Sequence, residues 1–157
     1  MSSSTCNYRG LIESNMQWSS TSRCGVSMPH ALGYGHGFCP VYVDIVNAIQ
    51  RFFVIEHWTL LDKVNMYRDG TMMKRWHHDA LLNDKPRNCS IIASFGCSRV
   101  LAFKARNGEA TEITLTNGSL LFFGLGVDRC FFHSILPEVD EGGRISVACW
   151  GMASCSQ

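Results

Sequence analysis

The sequence predicts a mainly β fold with one N-terminal helix, a double-stranded β-helix or jelly roll. Two patterns predict it. An amphipathic run begins at Pro40, and after it come short β-type runs punctuated by Asp69-Gly70, Asn107-Gly108, Asn117-Gly118 and Gly142-Gly143. Glycine in such pairs permits the positive φ angles that tight hairpins require, and their regular spacing is that of a sandwich or barrel. About eight strands following a single helix reads as a jelly roll.

The elements follow in order. The first 39 residues are rich in Ser and Gly, end near the loop Gly33-Tyr-Gly-His-Gly37, and carry neither a helical nor a strand period. They are read as an extended cover segment. From Pro40 the apolar residues Tyr42, Ile45, Val46, Ile49, Phe52 and Phe53 recur at steps of three and four, and proline suits a helix's first turn. Strand-type runs then fall near 59–67, 73–79, 89–96, 99–105, 111–115, 119–123, 129–134 and 144–150. With no linker, repeat or low-complexity tract, residues 1–157 are expected to form one domain, the cover segment over 1–39 and the helix and jelly-roll core over 40–157. A chain of this length buries roughly 70% of its unfolded surface and can fold alone.

Composition narrows the function. Hydrophobic residues make up 46% and charged ones 17%, which excludes a disordered chain and a heavily solvated helical rod. Fourteen Lys and Arg against thirteen Asp and Glu leave a net charge of +1, so any polyanion has to be met by a local patch. None of the eight cysteines stands in a C-x-x-C pair, which argues against structural zinc. The start lacks the regions of a signal peptide, and no stretch reaches the ~20 apolar residues of a membrane span. The expectation is a cytoplasmic protein with reduced, mostly buried thiols and no membrane segment.

Side chains at i and i+2 on a strand share a face, so three pairs of polar residues mark inward-pointing positions: Asn65 with Tyr67, His77 with Asp79, and Arg144 with Ser146. His77-x-Asp79 brings an imidazole and a carboxylate to one point, and His133 can supply a third ligand from a distant strand. Two histidines and one carboxylate form a facial triad, the ligand set of non-haem Fe(II) oxygenases. Arg144, eleven residues beyond His133, offers a guanidinium fork suited to the distal carboxylate of an organic cosubstrate.

These residues lie in Asn65-Met-Tyr67-Arg-Asp-Gly70, Trp76-His-His-Asp79, Leu115-Thr-Asn-Gly-Ser-Leu120, His133-Ser-Ile-Leu-Pro137 and Arg144-Ile-Ser-Val-Ala148. Over roughly residues 30–150 the chain resembles the AlkB family of Fe(II)/2-oxoglutarate dioxygenases. Leu32-Gly-Tyr-Gly35 and the Arg-Ile-Ser ending are most similar to the AlkB domains of plant RNA-virus replicase polyproteins. The resemblance implies that His77, Asp79 and His133 hold Fe(II), that Tyr67, Arg144 and Ser146 contact the C5 carboxylate of 2-oxoglutarate, and that Asn65 assists at the C1 end. It implies oxidative demethylation, with O2, of N-alkylated bases in nucleic acid, single-stranded RNA foremost and DNA otherwise. Formaldehyde, succinate and CO2 are the other products. It also implies a monomer or a piece of a larger polyprotein, in the host cytoplasm if viral.

The sequence departs from the family twice: Trp150 stands where a second arginine is usual, and Ala80-Leu81-Leu82 follows the metal motif where an acidic residue is usual. Tyr34 and Trp76 are candidates to stack a flipped base. Lys74, Arg75, Lys85, Arg87, Arg99, Lys104 and Arg106 are candidates for a basic rim that meets phosphates. His78 is expected to point away from the metal ligands. Two other readings stand beside this one: a 2-oxoglutarate-dependent hydroxylase of protein or small molecules, and a jelly-roll binding module without turnover.

Overall fold

The computed structural model describes residues 26–29, 40–79, 87–139 and 142–154. In chain order these form β1 (Val26–Pro29), α1 (Pro40–Phe52), β2 (Ile55–Tyr67), β3 (Lys74–His77), β4 (Cys89–Gly96), β5 (Arg99–Ala105), β6 (Ala110–Leu115), β7 (Leu120–Gly124), α2 (Leu125–Cys130), β8 (Phe131–Ile135) and β9 (Arg144–Ala153). Two curled antiparallel sheets result, a five-stranded one ordered β1-β2-β9-β4-β7 and a four-stranded one ordered β3-β8-β5-β6. This is the jelly-roll-like arrangement the strand count predicts.

The larger sheet has two chemically different faces, and alternation along β9 is the reason. Ile145, Val147 and Cys149 point one way and pack with Ile91, Ala93 and Phe95 of β4, Val64 and Met66 of β2, and the buried stripe Tyr42, Val46 and Ile49 of α1. Arg144, Ser146, Ala148 and Trp150 therefore point to the other face. A second core of Tyr67, Leu101, Phe103, Leu115, Phe123 and Ile135 lies there, made by residues of both sheets. Because β9 is covered on both faces, Arg144 through Trp150 are all buried, polar residues included.

The structure corrects several local expectations. The cover segment contains the short strand β1, whose residues Val26 to Pro29 pair with Met66 to Lys63. The run near 129–134 is split into the six-residue helix α2 and then β8. Phe52, counted among the apolar positions of the helix, is 75% exposed, and Phe53 stacks on Phe122 with ring centroids 4.9 Å apart. Gly108 and Gly118 have φ of 108° and 79° in the β5–β6 and β6–β7 turns, as tight reversals demand. Gly70, Gly142 and Gly143 do not, so the turns at those glycines are made without the positive φ that their sequence pairs suggest.

Candidate metal centre and cosubstrate pocket

His77 ends β3 and His133 lies in the middle of β8, and the two are register partners. Their rings come to 4.2 Å between centroids. Asp79 lies two residues past the end of β3, and its carboxylate reaches the two histidines from the connection that follows. Its Oδ1 lies 3.9 Å from His77 Nε2 and 3.7 Å from His133 Nε2. One donor atom from each residue lies within 4.8 Å of the others, close enough for a single ion to draw them together.

The surroundings select the protonation that a metal needs. His77 Nδ1 lies 2.8 Å from the carbonyl of Arg75, an acceptor that fixes the proton on Nδ1 and leaves the Nε2 lone pair facing the cluster. Burial pushes the His77 pKa below its ordinary value. Burial, with repulsion from His77 next, pushes that of His133 down to about 4. Both imidazoles are therefore neutral at physiological pH, the form that could bind a metal. Phe103 and Phe123 flank His133, with ring centroids 6.0 and 5.6 Å away, and provide the apolar wall that causes the desolvation.

Asp79 is held from outside the cluster. Its Oδ2 accepts the indole N–H of Trp150 at 2.7 Å and the Ser90 hydroxyl at 3.5 Å, and lies 3.8 Å from an Arg87 nitrogen. Its backbone N–H donates to Asp128 Oδ1 at 3.1 Å, while Arg87 donates to its carbonyl at 3.3 Å. Arg87 and Asp128 close this bracket through a buried 2.8 Å ion pair.

Along the same face of β9 lies a second polar group. Arg144 is 0% exposed, donates a 2.8 Å hydrogen bond to the Ser94 hydroxyl, and has the Tyr67 side chain as a second polar partner. Its Nε and second terminal nitrogen, NH1, have no partner. The guanidinium carbon sits 5.2 Å from the ring centre of Tyr67, whose neighbour Arg99 lies 5.4 Å from that centre. Asn65 donates to Ser146 at 3.4 Å, as their pairing between β2 and β9 requires. A buried cation with two open donors is chemically suited to a carboxylate.

The sequence-derived residues thus divide into two groups, the cluster His77, Asp79 and His133 and the set Asn65, Tyr67, Arg144 and Ser146. Trp76 is 39% exposed on β3, with Lys104 Nζ 5.9 Å from its ring centre. Tyr34 and Lys85 lie outside the described residues. The expected basic rim is corrected: Arg87 is 4% exposed and spent on Asp128. Arg99 is fully buried and donates to the carbonyls of Asp69, Met72 and Leu136. Among the described residues of that set, Lys74, Arg75, Lys104 and Arg106 remain wholly or partly exposed. His78 bonds through Nδ1 to the carbonyl of Asp128 and packs against Phe132 with the rings tilted by 41°, a structural role.

Sequence reading missed Asp128, Ser90 and Ser94, and misassigned Arg87. A lone acid in the apolar run Phe122-Phe-Gly-Leu-Gly-Val-Asp128 was the one available hint.

Fold and cluster together define a jelly-roll oxygenase built for a non-haem metal. Residues 14–148 match the 2OG-Fe(II) oxygenase superfamily, and the chain belongs to it. Its cofactor is therefore Fe(II) and its cosubstrates are 2-oxoglutarate and O2, for which the neutral His77 and His133 with the Asp79 carboxylate are a fitting donor set. No curated protein matches the sequence. Among the described residues no helix is long and apolar enough to cross a membrane.

Proposed function

We propose that this oxygenase removes N-methyl groups from bases in single-stranded nucleic acid, RNA foremost. The observation that carries the proposal is the set of AlkB-like motifs, whose residues meet in two clusters between the sheets. In this reading His77, Asp79 and His133 hold Fe(II). Arg144, with Tyr67 and Ser146, grips the C5 carboxylate of 2-oxoglutarate, and Asn65 lies toward the C1 end.

Bound there, the iron with 2-oxoglutarate and O2 supplies the oxidising power that converts an N–CH3 to N–CH2OH, which sheds formaldehyde and leaves N–H. One oxygen atom of O2 enters succinate, formed with CO2, and the other leaves in formaldehyde. The protein's own task is positioning. Arg144 fixes the cosubstrate's far end, the Phe103 and Phe123 rings keep water from the imidazoles, and Asp79 is kept in one orientation. Exposed Trp76, next to His77 on β3 but turned toward Lys104 on the other face of the strand, would stack a flanking base, with Lys104, Arg75 and Arg106 for phosphates. Tyr34 is the second candidate platform. The same resemblance extends the proposal to a cytoplasmic domain of a viral replicase polyprotein.

The test supplies Fe(II), ascorbate, 2-oxoglutarate and O2 to the protein. The substrates are single-stranded RNA and DNA oligonucleotides carrying 1-methyladenine, 3-methylcytosine or N6-methyladenine. Mass spectrometry is expected to show methyl loss matched by succinate. Burial of Arg87 and Arg99 removes two cations from the phosphate rim, and this favours a second reading, hydroxylation of a protein or small molecule. Succinate formation indifferent to every oligonucleotide would select it.

A further inference from the structure

A carboxylate offers a metal one oxygen or two, and the partners of its second oxygen decide which. In Asp79 the two oxygens have separate surroundings. Oδ1 faces His77 Nε2 and His133 Nε2 at 3.9 and 3.7 Å. Oδ2 is turned to Trp150 Nε1 at 2.7 Å, which makes the shortest hydrogen bond to this carboxylate.

An indole N–H donates and cannot accept, and Trp150 is 7% exposed, so without Asp79 that donor would be stranded away from water. The fold delivers it without distortion. Trp150 pairs with Ser90 in the β4–β9 ladder, and both side chains reach the same carboxylate oxygen. The backbone of Asp79 is meanwhile gripped at its N–H by Asp128 and at its carbonyl by Arg87.

We propose that Trp150 is a positioning residue of the metal centre. Its indole N–H holds Oδ2 of Asp79, so that Oδ1 alone is presented to the ion, on a backbone fixed by the Arg87–Asp128 pair. The indole is neutral. It orients the carboxylate without competing for its charge, as a guanidinium at this place would. The proposal rests on the His77, Asp79 and His133 metal set and is independent of which substrate is oxidised.

Anaerobic titration of Co(II) into the apo-protein tests it without turnover. Removing an outer-shell partner of a metal ligand weakens binding about 10- to 100-fold, and W150F is expected to fall in that range. Its Co(II) visible spectrum should also shift, because Oδ2 loses its shortest hydrogen bond and can turn toward the ion, and a merely structural role would not move those bands. W150Q and W150M fill similar volumes and differ in the N–H donor. W150Q is expected to bind Co(II) about tenfold more tightly than W150M. Equal affinities in that pair overturn the proposal, even where W150F fails to fold. D79A is the reference arm. If D79A loses Co(II) while W150Q and W150M bind alike, Trp150 has no positioning role and the metal site stands; if D79A binds like the wild type, the metal site fails and the proposal with it.

Discussion

Replacing Arg144 by Met separates cosubstrate binding from folding, because the two should respond in opposite directions. The wild-type guanidinium is fully buried, bonds to Ser94 Oγ beside the Tyr67 side chain, and leaves Nε and NH1 without partners. Burial accordingly lowers its pKa from the ordinary value, the mark of a desolvated cation. Each hydrogen bond between charged groups contributes about 1.5–3 kcal/mol, so two open donors closing on a carboxylate supply about 3–6 kcal/mol. At 1.4 kcal/mol per tenfold, even the lower end raises the Kd for 2-oxoglutarate in R144M by about 100-fold. The apo-protein loses a buried charge that lacks a counter-ion, and the methionine fills most of the same volume. Its stability should be equal or higher. Calorimetric titration of 2-oxoglutarate into Mn(II)-loaded protein measures the first quantity and urea unfolding of the apo-protein the second. A Kd changed less than about threefold refutes the anchor, since that is below the worth of one such bond. So does a weakened Kd accompanied by an equal loss of apo stability, because Arg144 would then be structural.

Three further outcomes follow from the same geometry. The His133 pKa of about 4 lies below the ordinary 6.5, so the unfolded chain takes up the proton first as pH falls. The stabilisation present at neutral pH is lost between those two values, about 2 kcal/mol of it from pH 7.5 to pH 5 in urea unfolding of the apo-protein, and H133N should flatten that slope. D128N leaves Arg87 buried with its ion pair broken and should cost about 3–5 kcal/mol in the same assay; a cost below about 1 kcal/mol would mean that the bracket is not structural. W76A should weaken single-stranded oligonucleotide binding by about 1–3 kcal/mol in fluorescence anisotropy while leaving Co(II) affinity unchanged, and an unchanged oligonucleotide Kd removes Trp76 from the substrate path.

Strands with a strong two-residue period and glycine-marked ends were legible in the sequence. Those near 89–96 and 99–105 coincide with β4 and β5. The polar i, i+2 pairs were legible for the same reason: alternation alone places both members on one face, before any partner strand is known. Elements too short to show a period were not. β1 has four residues and α2 six, so each spans two repeats of its period or fewer, too little for a pattern to stand out. Arg87 and Asp128 escaped for a different reason. A basic residue in a loop-like stretch reads as solvated, and its burial is caused by an acid 41 positions away, which no local pattern encodes. Trp150 was legible as a departure from a family pattern, but its bond to Asp79 spans 71 positions and exists only once β9 is central.

The departure at Trp150 makes sense in the balance of buried charge. Arg87 is cancelled by Asp128 at 2.8 Å, and Arg99 has Glu138 at 4.0 Å. Among the groups this structure places at the two clusters, Arg144 and Asp79 then remain, one positive and one negative. They leave the pocket neutral, and a divalent cation together with a dicarboxylate dianion adds no net charge to it. A second guanidinium at 150 would leave one positive charge in excess in a low-dielectric space, where an uncompensated ion costs several kcal/mol. With indole there, the hydrogen bond to Asp79 is kept and the excess is avoided. Among the described residues Arg144 is then the buried guanidinium on this face without an acidic partner, which is why the two open donors of that residue are the most informative place to perturb the protein.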